Sequence, residues 1–186
     1  MTMSTPLQAG TVLLAEPFMM DQNFKRAALL LVEHNPEGSL GFILNRRVSM
    51  RVDKLVEDFP EFDAPVYYGG PVATDTVHYL HRKGALLTDS EQVAKGIFWG
   101  GNYDQLRVLI EQKLVTPHDV RFFVGYSGWS PGQLDEELRG GSWVTARMYP
   151  NYLFKSAPEK LWTQVMTNKG DTFGVIADME EQAHFN

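Results

Sequence analysis

The stretch that decides the fold runs from residue 27 to residue 44 and reads AALLLVEHNPEGSLGFIL. It contains two apolar runs, at residues 27–32 and 40–44, on either side of the turn signal Asn35-Pro36-Glu37-Gly38. Short apolar runs that flank a Pro/Gly turn are typical of paired strands. The stretch therefore predicts an antiparallel hairpin that is buried on both faces.

Similar patterns on both sides of this hairpin predict more strands and about four helices. Val66-Tyr67-Tyr68 and residues 76–80 flank Gly69-Gly70-Pro71, which predicts a second hairpin, and strands are expected at residues 121–124 and 143–146. Helices are expected at four places: residues 50–59, 102–114, 130–139 and 156–170. The third begins with Ser130-Pro131-Gly132-Gln133, which predicts a capping box.

The order of these elements indicates the fold class. Strands come in hairpins separated by single helices rather than in βαβ units, which favours an α+β fold with a mixed or antiparallel sheet. No low-complexity linker or internal repeat interrupts the chain, so residues 1–186 are expected to form one domain.

Composition narrows the possible environments and cofactors. With 44% hydrophobic and 12% aromatic residues among 186, the chain can bury a large core. It has no cysteine, which excludes disulfides and cysteine-ligated metals. The N-terminus lacks a basic n-region, and the apolar run at residues 27–32 is far shorter than a membrane helix. We expect a cytoplasmic protein with no membrane association and no cofactor.

One basic cluster makes DNA a partner to consider. It consists of Arg46, Arg47, Arg51 and Lys54, and acidic residues follow it closely. The whole chain has a formal net charge of -6, from 17 basic and 23 acidic residues, which repels a phosphate backbone. The sequence therefore does not favour direct nucleic-acid binding. A transcriptional regulator that contacts DNA through this cluster stays as an alternative.

Two motifs invite a catalytic or metal-binding interpretation. Gly125-Tyr126-Ser127-Gly128-Trp129 resembles a nucleophile elbow, but Trp129 occupies its final glycine position. A hydrolase that uses Ser127 is kept as an alternative, although no catalytic residue is predicted. His78 and His81 are three positions apart on an expected strand, so they point to opposite faces and are expected to be half-exposed rather than to share a metal ion.

Several segments together resemble one protein family. They are, in order, residues 10–17 with Asp21, Phe24 and Arg26; residues 41–45; residues 68–72; residues 125–129 followed by 132–138; and Leu153-Phe154 with Trp162. This series is similar to the AlgH/YqgE family of bacterial proteins over roughly residues 10 to 175. Asp135 departs from the pattern, where the family usually has Glu, but the charge is kept.

The resemblance implies a strongly bent sheet that approaches a pseudo-barrel. It implies no established activity; some members are labelled transcriptional regulators, a label that names no mechanism.

The candidate site consists of polar, aromatic and glycine residues that fall at expected turns. They are Asp21, Arg26, Asn45, Tyr68, Gly69, Gly70, Tyr126, Ser127, Trp129 and Gln133. Turn residues on a rigid scaffold are a common place for binding. We expect these residues to line one cleft of a non-catalytic protein that binds a protein or small molecule, with Arg26 as the anion contact. The alternative is structural: the glycines serve separate turns, Asp21 caps a turn or pairs with Arg26, and Trp129 lies in the core.

Overall fold

The computed structural model describes residues 6–170. These residues form ten strands: β1 (Thr11–Ala15), β2 (Ala28–Asn35), β3 (Gly38–Ile43), β4 (Arg47–Arg51), β5 (Pro65–Tyr68), β6 (Val72–His81), β7 (Glu91–Ala94), β8 (Ile97–Trp99), β9 (Val120–Trp129) and β10 (Trp143–Arg147). They also form five helices: α1 (Val52–Leu55), α2 (Tyr103–Glu111), α3 (Gln133–Arg139), α4 (Pro150–Phe154) and α5 (Pro158–Asn168). The α+β prediction is confirmed.

The strands form one curled sheet with the order β10-β1-β2-β3-β9-β6-β8-β7, and β4 joins through β5. The predicted hairpin at residues 27–44 is confirmed, because β2 and β3 pair antiparallel. Among the described strands, β5 and β9 form the one parallel pair. The sheet is therefore mixed and strongly bent, as expected for the family that the sequence resembles.

The second predicted hairpin is wrong. Both of its strands exist, but β9 lies between them, parallel to β5 and antiparallel to β6. The Gly69-Gly70-Pro71 segment carries the chain from one side of β9 to the other. Strand β9 continues to Trp129, so residues 125–129 lie within this strand rather than forming a strand-to-helix turn.

The helix predictions need three corrections. The first helix covers only Val52–Leu55, because β4 occupies the residues before it. The second ends at Glu111, so Leu114 lies outside it. The short helix α4 was not predicted.

The capping box before α3 is half formed. The N-cap residue of α3 is Gly132, with φ 76°, and no side chain caps the helix. The side chain of Gln133 does reach back, since its Oε1 accepts from the backbone N–H of Ser130 at 2.9 Å. The Ser130 hydroxyl lies too far before the helix to complete the motif.

Both faces of the sheet are buried, as β1 shows. Val12 and Leu14 pack in a core cluster with α5, whereas Leu13 and Ala15 pack in a cluster with α3. A third cluster joins β9 to α2 through Phe122. Because successive side chains of a strand point to opposite faces, neighbouring motif residues are delivered to different sides of the sheet.

Candidate functional site

Residues 16–26 form a closed loop between β1 and β2. The backbone N–H of Ala15 donates to the carbonyl oxygen of Ala27 at 3.0 Å, which brings the ends of the loop together. Within the loop, Asp21 Oδ1 accepts from the N–H of Asn23 at 2.8 Å, and the Asp21 carbonyl accepts from Phe24. Asp21 therefore caps a turn, in agreement with the structural alternative.

Asn45 fixes the end of the loop to the sheet. Its Oδ1 accepts from the backbone N–H of Ala28 at 3.0 Å, and its Nδ2 donates to the carbonyl oxygen of Arg26 at 2.9 Å. The Asn45 amide thus takes the place of a neighbouring strand, because it bonds to the Ala28 N–H and to the Arg26 carbonyl oxygen. Arg26 itself has φ 54°, so the backbone turns at this residue.

Two further side chains hold the loop from outside. Arg46 donates to the carbonyl oxygens of Lys25 at 2.5 Å and Gln22 at 3.4 Å. The hydroxyl of Tyr68 donates to Asn23 Oδ1 at 3.3 Å. The loop is consequently held by residues from the β3–β4 connection and from β5.

The side chain of Arg26 packs on α5. Its guanidinium carbon lies 4.2 Å from the ring centroid of Trp162, and Nη2 donates to Thr163 Oγ1 at 2.9 Å. Trp162 is in turn buried, and its Nε1 donates to the carbonyl oxygen of Ala15 at 3.0 Å. These contacts form a continuous connection from β1 through α5 to the loop.

A groove of 270 Å³ opens beside the loop, and we name it the loop groove. Its lining residues are Gln22, Lys25, Arg26, Asn45, Arg46, Glu159 and Trp162. Two of the predicted site residues, Arg26 and Asn45, therefore do line a groove together. Burial lowers the pKa of Arg46, while the nearby Tyr68 raises it.

The loop also presents apolar side chains to solvent. Phe18 is 74% exposed and Met20 is 86% exposed, whereas Met19 and Phe24 pack against the α3 cluster. The ring of Phe24 meets that of Trp143 edge-on, with 5.6 Å between centroids. The loop therefore has a packed side, with Met19 and Phe24, and a solvent-exposed side, with Phe18 and Met20.

Glu137 of α3 lies next to Trp143, the side chain on which Phe24 of the loop packs. Burial raises the pKa of its carboxyl, the neighbouring indole rings of Trp143 and Trp129 lower it, and the negative charge of Asp21 raises it slightly. Among these influences on the Glu137 pKa, the charge of Asp21 is the smallest.

Ser127, Gly69 and Gly70 belong to a buried crossing of chain segments. The carbonyl oxygen of Gly69 accepts from the N–H of Ile43 at 2.9 Å and from Ser127 Oγ at 3.1 Å. Ser127 is 0% exposed. A nucleophile must reach its substrate, so this buried hydroxyl, bonded to a backbone carbonyl, does not support the hydrolase alternative.

The glycines of this crossing are required by close packing. A Cβ added at Gly70 would lie 2.3 Å from the carbonyl group of Tyr126, and one at Gly125 would lie 2.4 Å from the oxygen of Gly70. Gly125 also has φ 68°. These residues allow two backbones to approach each other, which is the structural alternative for the glycine motif.

The remaining candidates lie elsewhere. Tyr126 and Trp129 line a second groove of 570 Å³ beside the β2–β3 turn, and Trp129 is only 7% exposed, with its ring against Trp143. Gln133 bonds to Ser130. The ten predicted residues thus do not line one cleft. Two line the loop groove, two line the second groove and three form the buried crossing, whereas Asp21, Tyr68 and Gln133 make contacts outside all three.

Two side chains of the basic cluster, Arg51 and Arg46, bond to other parts of the protein. Arg51 donates to both carboxylate oxygens of Asp53, at 2.5 and 3.0 Å, and its Nη1 lies 3.8 Å from Asp63. Arg46 is turned toward the loop. Two of the four basic side chains are therefore engaged within the protein, while Arg47 and Lys54 lie exposed.

The two histidines of β6 have different surroundings. His78 packs beside Phe42, with 5.3 Å between ring centroids. His81 is only 1% exposed, which corrects the expectation of a half-exposed side chain: its Nε2 lies 2.8 Å from the oxygen of Gly100, and Nδ1 accepts from the N–H of Lys83. Burial lowers the pKa of His81. Within residues 6–170, no three His, Asp or Glu side chains are grouped to hold a metal ion.

Sequence reasoning missed the exposed part of the loop and most of the groove. Phe18, Met20 and Lys25 were not among the candidates, although Phe18-Met19-Met20 is an apolar triplet between Pro17 and Asp21. An apolar triplet within a stretch of loop residues was the available signal.

None of the helices in the described part of the chain is long and apolar enough to cross a membrane.

Comparisons with known proteins agree with this fold. A "UPF0301 protein" of Chlorobium luteolum is 43% identical over 180 residues, covering 97% of this chain and 95% of the relative. Another of that name, from Cytophaga hutchinsonii, is 35% identical and covers 92% and 95%. The solution structure of the AlgH protein from Pseudomonas aeruginosa matches with a TM-score of 0.74 at 28% identity, over 95% of this chain and 96% of that one.

A crystal structure of a Corynebacterium diphtheriae protein matches the fold with a TM-score of 0.78 at 22% identity, over 94% of each chain. The family model described as AlgH-like matches residues 12–174. On this match and on the identity to its relatives, the chain belongs to the AlgH-like family.

Proposed function

We propose that this protein is a non-catalytic binding domain of the bacterial cytoplasm that holds a protein partner at residues 16–26. One observation carries the proposal. The loop is held by three side chains from two other parts of the chain, Asn45 and Arg46 of the β3–β4 connection and Tyr68 of β5, yet it leaves Phe18 and Met20 exposed. A preorganised loop loses little conformational entropy when it binds.

The exposed side chains supply the driving force for association. Covering a large apolar side chain contributes roughly 1.5–3 kcal/mol. Single exposed apolar residues are ordinary on protein surfaces, but here two of them share one ordered loop that borders a groove. A regulatory role through a protein partner is consistent with this surface and needs no contact with DNA.

The test is capture of partners from the native cytoplasm by tagged protein. We expect the double variant Phe18→Ser/Met20→Ser to lose a partner that the wild type retains. The matched control is Val108→Ser/Leu114→Ser, which changes two other exposed apolar side chains, 47% and 50% exposed, on and just after α2. The same partners captured by wild type and by the loop variant would overturn the proposal.

A further inference from the structure

Hydrogen bonds fix the protonation state of the His81 ring. The carbonyl oxygen of Gly100 can only accept, so Nε2, which lies 2.8 Å from it, carries the ring proton. The hydroxyl of Ser90 donates to the carbonyl oxygen of Leu87 at 2.8 Å, and its oxygen lies 3.1 Å from the same Nε2. On the other side of the ring, Nδ1 accepts from the backbone N–H of Lys83 at 3.1 Å. His81 is therefore the neutral tautomer with its proton on Nε2.

The ring has no access to solvent and no vacant acceptor for a second proton. His81 is 1% exposed, and the ring of Phe98 stacks on it with 5.9 Å between centroids and 22° between planes. A second proton would have to bind Nδ1, toward which the Lys83 N–H already points. Because two donors cannot share one hydrogen-bond position, the imidazolium form has to lose the bond to Lys83.

The Lys83 backbone begins a turn that covers part of the core. Its carbonyl oxygen accepts from the N–H groups of Leu86 and Leu87, both at 3.0 Å, and Leu87 is 2% exposed in the cluster between β9 and α2. The residue before it is held independently, because Arg82 bonds to Asp119 through its backbone at 3.1 Å and its side chain at 2.8 Å. Loss of the bond to His81 would therefore free the turn from Lys83 onward.

The neighbouring groups leave His81 as the one placed to respond first when pH falls below neutral. Burial raises the pKa of Tyr79 to about 12. Burial also raises the pKa of Asp119, but hydrogen bonds from Thr116 and Arg82 outweigh it, so the net pKa is lowered. The titratable or charged side chains on the elements around His81 are Tyr79 of β6; Arg82, Lys83 and Asp89 of the following segment; Glu91 of β7; and Asp119 and Arg121 at the start of β9.

We propose that His81 is a pH-sensitive switch: when its ring takes a second proton at Nδ1, the Lys83 N–H is displaced, residues 83–90 separate from β6, and Leu87 becomes exposed. The switch lies outside the loop at residues 16–26 and does not depend on the proposed function. Burial lowers the pKa of His81, and the bond to Gly100 raises it less. The closed turn is therefore fully stabilised above the ordinary value of 6.5, and this stabilisation is lost as pH falls through the folded pKa.

The test is amide hydrogen exchange of the ¹⁵N-labelled full chain between pH 7 and pH 5, corrected for the intrinsic exchange rate. We expect the opening constants at the Lys83, Leu86 and Leu87 amides to rise at least about fivefold over this range. Amides of the β2–β3 hairpin should not change with them. Ring NMR of the same sample should show the Nε2–H tautomer of His81, with a titration midpoint that coincides with that of exchange.

Two variants provide the matched comparison. His81→Gln keeps a donor that can reach the Gly100 oxygen but cannot titrate, so it should remove the pH dependence of exchange at residues 83–90. His78→Gln is the control, since His78 lies on the same strand, is half-buried and has its Nε2 3.0 Å from Thr76 Oγ1. It should leave the pH dependence at residues 83–90 unchanged.

Three results would overturn the inference: exchange at residues 83–90 that does not vary with pH, the same pH dependence in His81→Gln, or an equal rise of exchange along the whole chain, which would report global acid unfolding. If His81→Gln does not fold, the wild type decides alone. Different midpoints for the His81 ring and for exchange at residues 83–90 would then contradict the switch, and coinciding midpoints would support it.

Discussion

The crossing around Gly69-Gly70 and the loop at residues 16–26 both contain motifs of the AlgH-like family, but the fold uses them differently. At the crossing, a Cβ at Gly70 would lie 2.3 Å from the backbone of Tyr126, and Ser127 is fully buried. In the loop, hydrogen bonds hold the backbone while Phe18 and Met20 remain exposed. In both regions the motif residues therefore hold the backbone in place, and the exposed side chains of the loop are ones that lie between its motif residues.

The largest expected effect tests the crossing. Gly125→Ala should lower the free energy of unfolding by at least about 3 kcal/mol, because its Cβ would meet the oxygen of Gly70 at 2.4 Å and φ is 68°. Gly132→Ala is the control: it has φ 76° but no atom within 4 Å of the added Cβ, so it should cost only about 1–2 kcal/mol. Urea denaturation measures both. Equal costs would show that the crossing is not closely packed.

The next effect tests the anchor of the loop. Asn45→Ala should cost about 2 kcal/mol, because it leaves the Ala28 N–H and the Arg26 carbonyl without their side-chain partner. Asn35→Ala is the control, since Asn35 bonds to the N–H of Glu37 in an exposed turn and should cost less than about 1 kcal/mol. Denaturant midpoints and hydrogen exchange at the Ala28 amide give the result. An unprotected Ala28 amide in the wild type would contradict the anchor.

A smaller effect tests the coupling between the loop and α3. The raised pKa of Glu137 means that the folded state binds a proton more tightly than the unfolded chain does. This contribution to stability is complete below the ordinary value of 4.5 and is lost as pH rises through the folded pKa. Glu137→Gln should remove this part of the pH dependence of unfolding.

Asp21→Asn should lower the pKa of Glu137, because it removes a neighbouring negative charge and keeps the oxygen that caps the turn. Carboxyl NMR titration measures the change. An unchanged Glu137 titration in the Asp21 variant would show that the loop and α3 are electrostatically independent.

The smallest expected effect is on the stability of the loop variants. Phe18→Ser and Met20→Ser should each change the free energy of unfolding by no more than about 0.5 kcal/mol, since both side chains are exposed. Phe24→Ser should cost about 2 kcal/mol or more, because its ring packs on Trp143. Thermal and urea unfolding provide the comparison. A cost for Phe18→Ser as large as that for Phe24→Ser would assign the exposed face to the scaffold.

Local patterns predicted the β2–β3 hairpin and most of the helices, because each depends on residues close in the chain. They failed for β5 and β6, which are neighbours in sequence but are separated in space by β9. The missing half of the capping box before α3 has a similar cause: the extended strand runs to Trp129, so the helix begins only at Gln133.

The candidate site was predicted in part for the same reason. Arg26 and Asn45 do share a groove, because β2 and β3 are paired and place the two residues at one end of the hairpin. Tyr126 and Trp129 line another groove. Their position depends on the register of β9 against β3 and β6, which no local pattern contains.

The sequence by itself determined the strands and helices that local hydrophobic pattern and turn residues specify, together with the family. The tertiary structure decided which motif residues are buried, which backbone segments cross at Gly69 and Gly70, and which side of the loop faces solvent. The physical reason is that periodicity identifies a strand but not its neighbours. Burial of Ser127 and exposure of Phe18 and Met20 follow from pairing between segments far apart in the chain.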